Sequence, residues 1–354
     1  MPPLTSSLHL NVLLAISALH FALAGPVHAQ RIRGQLLEEG SGQPIEGAFV
    51  VLLDATGAEI AGVLSDDAGR FVVRAPTRGL YRLRADRIGY RNTYSDTLAL
   101  ELGQTLDYRM MVPMEVIQLV GITATAESRC DVHPAEGEQT AQVWEEARKA
   151  LRATRWTEQQ GLFSFQTERY RRTLDSRTLV VLEEQKESGW RRSGKPFETL
   201  PANELLEDGF VRSSSAGELY YAPDAEVLLS DAFLDAHCFG LQAGKDERAG
   251  LVGLAFRPLS GRDVADVEGV LWLDGESAEL RDLQYRYTGL PFELQTAMLF
   301  GGRLEFERLS TGAWIIRRWW IRGPLRETAG GYSRRAIQEE GGAVIRMLPN
   351  TSGR

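Results

Sequence analysis

Apolar and polar residues alternate with period two over much of the chain. Phe49, Val51 and Leu53 fall on one side of a strand, and Phe71 and Val73 follow the turn Asp66-Asp67-Ala68-Gly69. Tyr81, Leu83 and Ala85 alternate with Arg82, Arg84 and Asp86; Leu98, Leu100 and Leu102 repeat the pattern, as do Leu106, Tyr108, Met110 and Val112. Period two with Gly and Asp turns at short intervals predicts an antiparallel sandwich, because strands with one apolar face must close on a second sheet. From Thr140 to Ala153 the period becomes helical, with Val143, Ala147, Ala150 and Leu151 on one face and Glu145, Glu146, Arg148 and Lys149 mostly elsewhere. Strand-like runs follow at Phe163 and Phe165 and at Leu179 to Leu182. A less regular stretch holds Pro196, Pro201 and Gly209, and Val227 to Ala236 suits a second helix.

The last third alternates most clearly. Val270 to Leu273 leads through Asp274-Gly275 to Leu280, Leu283, Tyr285 and Tyr287; Gly301-Gly302 precedes Leu304 and Phe306, and Gly312 precedes the run from Ala313 to Ile321. These read as antiparallel strands on short turns. In the final run strict alternation points Trp314, Ile316 and Trp320 one way and Ile315, Trp319 and Ile321 the other, so both faces expect cover. Gly330-Gly331 and Gly341-Gly342 suggest at most one last loose hairpin.

The order of motifs in the first region has a family resemblance. Gly34 is followed by Gly42-Gln43-Pro44-Ile45-Glu46-Gly47-Ala48-Phe49-Val50, then Ser65-Asp66-Asp67-Ala68-Gly69-Arg70-Phe71, Gly79-Leu80-Tyr81 and Ile88-Gly89-Tyr90. Residues 31–125 resemble the carboxypeptidase regulatory-like domain, a prealbumin-like sandwich. The resemblance implies a spacer or docking module without catalysis. A related family forms Lys–Asn isopeptide cross-links, but no Lys lies between Arg31 and Ala126, which excludes that chemistry. The helix and meander of residues 140–325 resemble, in order of elements, the half-barrel of outer-membrane lipoprotein carriers; the hairpin Asp266 to Asp274 before Leu280-Arg281-Asp282-Leu283 is similar to one in that group. That resemblance implies a concave face open to an acyl chain or other apolar ligand, against which stands a core filled by the same aromatic residues.

The expected fold class is mostly β: a prealbumin-like sandwich, then an α+β domain with a curved, half-barrel-like antiparallel sheet. All seven Trp fall after Ala126, and the polar stretch Glu127 to Gly137 contains Pro134, which marks a joint. The expected divisions are 1–29, a signal peptide; 30–126, the sandwich; 127–139, a linker; 140–326, the second domain; and 327–354, a tail.

Composition sets the compartment and excludes classes. The 354 residues are 43% apolar with net charge -8, so a core is available and nucleic acid is not the expected partner. Arg outnumbers Lys 36 to 4 along the whole chain, which fits a GC-rich genome better than a phosphate-binding surface. Residues 1–29 carry no Asp, Glu, Lys or Arg; the apolar stretch Val12 to Ala24, Gly25-Pro26 and Val27-His28-Ala29 read as a secretory signal cut after Ala29. No later segment is apolar enough to span a bilayer. An extracytoplasmic protein is expected, periplasmic, outer-membrane associated or secreted.

After Ala29 the chain has two Cys and two His, paired in sequence as Cys130 with His133 and His237 with Cys238. A Cys130–Cys238 disulfide, a Cys₂His₂ zinc site and two unpaired thiols all remain open. His133-Pro134-Ala135-Glu136 with distant His237 is similar to the zinc pattern of metallocarboxypeptidases, which would make His133, Glu136 and His237 a zinc-hydrolase set. There is no Gly-x-Ser-x-Gly elbow and no phosphate loop around Ser193-Gly194-Lys195. Asp231 and Asp235 read as a solvated helix face, and the Asp66-Asp67 pair as a turn and not a calcium site. The expected function is a non-catalytic envelope protein without cofactor, which binds an envelope protein or an apolar ligand. The alternatives are the zinc hydrolase and a purely structural or adhesive protein.

Overall fold

The computed structural model describes residues 30–119, 137–191, 195–214, 217–260, 262–290, 298–326 and 332–350. The N-terminal region is a two-sheet sandwich. Its strands are β1 (Gln30–Glu38), β2 (Phe49–Leu53), β3 (Glu59–Leu64), β4 (Arg70–Ala75), β5 (Gly79–Asp86), β6 (Thr93–Tyr94), β7 (Leu98–Leu100) and β8 (Thr105–Val112). One sheet runs β4-β1-β8 and the other β3-β2-β5-β6, with β7 on β5. The core holds Ile32, Leu36, Val50, Leu52, Phe71, Val73, Tyr81, Leu83, Met110 and Val112. Most alternations place the expected residues inside. Two features differ. β8 joins β1 in parallel, which strands far apart in sequence can do. And β2 is buried on both faces: Val50 and Leu52 enter the sandwich, whereas Phe49, Val51 and Leu53 form a separate cluster facing Leu64 and Trp156.

That second face is covered by α1 (Glu138–Gln159), the one long helix described. α1 lies between the sandwich and a second sheet. Toward the sheet it buries Val143, Trp144, Ala147, Ala150 and Leu151 against Phe239, Leu254, Phe256, Leu271, Leu283, Trp314 and Ile316. A fully buried Leu or Phe contributes about 1.5–3 kcal/mol, so this stripe is the main anchor of the second region. The side turned to the sandwich carries charge. Lys149 Nζ donates to Arg87 O at 3.0 Å, Tyr90 O at 2.7 Å and Glu146 Oε1 at 2.6 Å, and Glu146 Oε2 accepts from Gly89 N at 2.8 Å. Arg152 reaches Asp86 at 3.3 Å and Glu59, both also held by Arg84. Gly47 of the sandwich meets Gly312 backbone to backbone: a Cβ built on Gly47 would lie 2.4 Å from Gly312 Cα, and both residues have positive φ.

The second region adds β9 (Phe163–Asp175), β10 (Val181–Arg191), α2 (Ala202–Asp208), β11 (Val211–Ser214), β12 (Gly217–Tyr220), α3 (Ala225–Leu228), α4 (Asp231–Ala236), β13 (His237–Ala243), β14 (Leu251–Pro258), β15 (Asp266–Asp274), β16 (Leu280–Thr288), β17 (Gly301–Arg308), β18 (Trp314–Arg326) and β19 (Tyr332–Pro349). Nine strands form one sheet in the order β10-β9-β19-β18-β17-β16-β15-β14-β13. This corrects the expected half-barrel. The sheet is open, with β10 and β13 at opposite edges, and it is neither closed nor strongly curled. Successive hairpins add strands outward, and α1 fills the covered face with the bulky residues that a carrier-like cavity would have needed to leave apart.

Three local differences have physical causes. The helix expected over Val227 to Ala236 is two short helices, because Ser230 Oγ accepts from Phe233 N at 3.2 Å and starts α4. In β18 the alternation breaks: Glu305 pairs with Arg318 but Phe306 with Ile316, so Arg317 is a bulge. Trp314, Ile316 and Trp319 therefore share the α1 side, while Ile315 joins Phe163, Phe165 and Val344 in another cluster. Finally, β19 forms the hairpin with β18 and then pairs with β9 on its other side. Gly341-Gly342 is strand, not turn; Cβ atoms there would meet Tyr170 Oη at 2.5 Å and Trp319 Cζ2 at 2.6 Å. Among the described residues no helix is long and apolar enough to cross a membrane.

Candidate ligand cavity on the outer sheet face

The face of the large sheet turned away from α1 is polar and uneven. Strand register aligns Ala255, Val270, Gln284 and Arg303 across β14 to β17, and Gly253, Trp272, Asp282 and Glu305 beside them. These positions point outward because their neighbours Leu254, Leu271, Leu283 and Leu304 enter the core. A cavity of about 680 Å³ lies on this face, walled by Trp272, Trp320, Val270, Met298, Gln242, Gln284, Arg257, Arg286, Arg322 and Glu268, with Leu179 at its rim.

Its charges are held in place. Arg286 Nε donates to Glu268, and Arg322 Nε donates to Glu339 Oε2 at 2.7 Å. The Arg322 guanidinium also lies 4.3 Å from the Trp320 ring centroid. Next to the cavity, Arg248 forms a fork on Asp282 at 3.0 and 3.2 Å, donates to Gln284 Oε1 at 3.2 Å and lies 4.7 Å over Trp272. Arg303 meets the same Asp282 at 3.2 Å. Trp272 is 4% exposed, and its indole N–H finds no acceptor among the described residues. Buried donors are normally paired, so this one marks a place where polar chemistry is unmet. The walls carry three Arg against one Glu in a chain of net charge -8.

A second cavity, about 550 Å³, takes its walls from β9, β10, β12, β18 and β19 and is lined by Tyr170, Phe197, Tyr221 and Trp319. Its charged walls balance, with Arg169, Arg171 and Lys186 against Glu187, Glu198 and Glu340.

The residues singled out from the sequence do not form a centre. His237 is 3% exposed in the core, stacked on Phe233 with ring centroids 3.9 Å apart. Its Nδ1 faces Phe233 O at 2.9 Å, and its Nε2 faces Val267 O at 3.1 Å and Asp266 Oδ1 at 3.3 Å. Both ring nitrogens face protein oxygens within hydrogen-bond distance, so neither is turned toward a metal. Asp266 is buried, which alone would raise its pKa; the hydrogen bond and charge of His237, the Val267 N–H and Arg262 hold it below the ordinary carboxylate range. His133, Glu136 and Cys130 lie outside the described residues. Among those described, no group of three His, Cys, Asp or Glu is placed to hold a metal. Cys238 is buried on β13 with Sγ 3.4 Å from Arg257 O and is disulfide-bonded, while Cys130, its expected partner, lies outside the described residues. The Asp66 carboxylate accepts from Ala68 N and Arg70 N, as a turn does, and Asp231 and Asp235 are exposed.

The cavity residues were not singled out by sequence. Alternation in β16 does place Gln284 and Arg286 outward, but Trp320 is assigned to the wrong side unless the Arg317 bulge is known.

Residues 31–113 match the family of carboxypeptidase regulatory-like domains. That region is therefore such a domain, and the match does not extend to the second region. No curated protein sequence matches the chain. Solved structures share parts of the fold. The pilus 2b backbone protein of group B streptococcus is 13% identical over 24% of this chain and 41% of that one, at a TM-score of 0.21. The 5-hydroxyisourate hydrolase of Klebsiella pneumoniae is 17% identical over 24% and 86%, at 0.19. A DUF1329 family protein from Desulfovibrio piger is 9% identical over 57% and 92%, at 0.26. At these TM-scores none of them assigns this chain an activity.

Proposed function

We propose that this is an exported, non-catalytic binding protein of the cell envelope. Its regulatory-like sandwich serves as a docking module, and the outer face of its nine-stranded sheet holds the ligand. The observation that carries the reading is the 680 Å³ cavity, whose walls come from strands joined in one sheet and whose Trp272 N–H is unmet. Its one carboxylate, Glu268, is tied to Arg286 and is not free to act as a base. The seating of the sandwich on α1 through Lys149, Glu146 and Arg152 supports a fixed docking geometry in place of a swinging spacer. Export rests on the uncharged, apolar first 29 residues.

Native mass spectrometry of the protein recovered from the periplasm of a diderm host tests this. The expected species begins at Gln30 and carries a small molecule that a cavity-filling Gln284→Trp variant lacks. A chain of full length confined to the cytoplasm would overturn the export. A bare wild-type chain, indistinguishable from the variant, would overturn the ligand site.

A further inference from the structure

We infer that the outer-face cavity takes a small organic anion with a flat apolar body, such as an aromatic sulfonate or carboxylate. The inference rests on the reading of this cavity as a ligand site and adds the class of ligand.

Three observations converge on it. The first is charge. Among the described residues Arg257, Arg286 and Arg322 line the walls with one acid, Glu268, and Glu339 pairs with Arg322, so guanidinium groups outnumber carboxylates at the cavity within a protein of net charge -8. A local potential opposite to that of the whole chain selects anions and concentrates them at the site. The ion pairs already present do not consume this capacity. Arg286 and Arg322 meet Glu268 and Glu339 through Nε, and a guanidinium has further donors on its terminal nitrogens. The second is shape and surface. Trp272 and Val270 face the cavity from β15 and Trp320 faces it from β18, with Gln284 on the strand beside Val270, and Arg322 stacked on Trp320 extends the flat surface there. Indole faces and stacked guanidinium planes favour flat apolar groups. The third is the Trp272 indole N–H, buried and without an acceptor among the described residues. It can donate to an anionic oxygen and can accept nothing, so it discriminates against cations and adds a directed bond for an anion. The neighbouring cavity has aromatic walls too, but its charges balance, and it lacks this bias.

Equilibrium dialysis of the full chain with three probes of one shape tests the inference: naphthalene-2-sulfonate, neutral 2-naphthylmethanol and cationic 2-naphthylmethylammonium. The sulfonate is expected to bind at least about tenfold tighter than the neutral probe, and the cation weakest. Gln284→Glu adds one negative charge at an exposed cavity position. It should weaken the sulfonate about tenfold and leave the neutral probe unchanged, with the circular dichroism of the native chain. Equal binding of the neutral probe and the sulfonate, or tighter binding of the cation, would overturn the anion preference and leave the cavity a ligand site. Sulfonate binding that Gln284→Glu does not alter would place the anion elsewhere and also overturn it. No binding of any probe by a natively folded chain would overturn the ligand class, while the bound species seen by native mass spectrometry still decides the reading beneath it.

Discussion

α1 buries charge at two places, with opposite outcomes. Near its middle Glu146 and Lys149 are 0% and 2% exposed, and every Lys149 donor has an acceptor. Burial pushes the Glu146 carboxyl up, and Lys149 and the Gly89 N–H pull it back. In its last turn Glu158 is 5% exposed, and its Oε1 has no partner among the described residues. Burial, then the charges of Asp224 and Glu226, push the Glu158 pKa up to about 8, against Lys195. One helix and similar burial give a satisfied junction at one place and an unsatisfied acid at the other. Removal from water is therefore not what decides the energetics of a buried charge; the supply of partners is. The satisfied place seats the docking module, and the unsatisfied one contributes nothing to that contact.

The largest effect should come from breaking the satisfied place. Lys149→Ala strands Glu146 as a buried, unpaired carboxylate and frees two backbone carbonyls. It should cost about 3–5 kcal/mol in urea unfolding at neutral pH. A loss under about 1 kcal/mol would mean that water enters the junction and that the two places on α1 do not differ as described.

Glu158→Gln should act in the other direction. A carboxyl whose folded pKa lies near 8 favours the folded state when protonated. Its contribution is full below the unfolded value of about 4.5, falls as pH rises, and is gone above the folded value. The neutral amide removes that slope. The variant should gain on the order of 2–4 kcal/mol over the native chain at pH 9 and differ little at pH 4. Parallel stability curves from pH 4 to 9 would show that the acid is not held neutral in the fold.

The same contrast explains what the sequence could reveal. Sandwich strands were legible because each carries its own period, and the order of Gly motifs identified the domain. The apolar stripe of α1 was legible too, but Glu146 and Lys149 read only as residues off that stripe. A polar helix side that meets another polar surface leaves no mark in its own periodicity. Phe49, Val51 and Leu53 were read correctly as one face, but their partner, Trp156, is a hundred residues away in sequence. Sheet curvature failed for a similar reason: closure depends on stagger between strands, and single-strand patterns do not contain it. The cavity was hidden because its walls come from separate strands and one of its tryptophans turns outward only through the Arg317 bulge.

The smallest effect tests whether charge matters at all apart from burial. Arg33 and Asp107 are directly paired across the parallel β1–β8 contact, with Nε–Oδ1 at 2.8 Å, better geometry than several contacts at the α1 junction. Their side chains are 62% and 74% exposed. Water already solvates both, so loss of one leaves the other hydrated instead of stranded, and salt screens what attraction remains. Arg33→Ala should change stability by no more than about 0.5 kcal/mol, and by less in 0.5 M salt. If it instead cost as much as Lys149→Ala, ion-pair geometry alone would set the energetics. The two places on α1 would then differ by the distances of their contacts and not by whether a buried group is left without a partner.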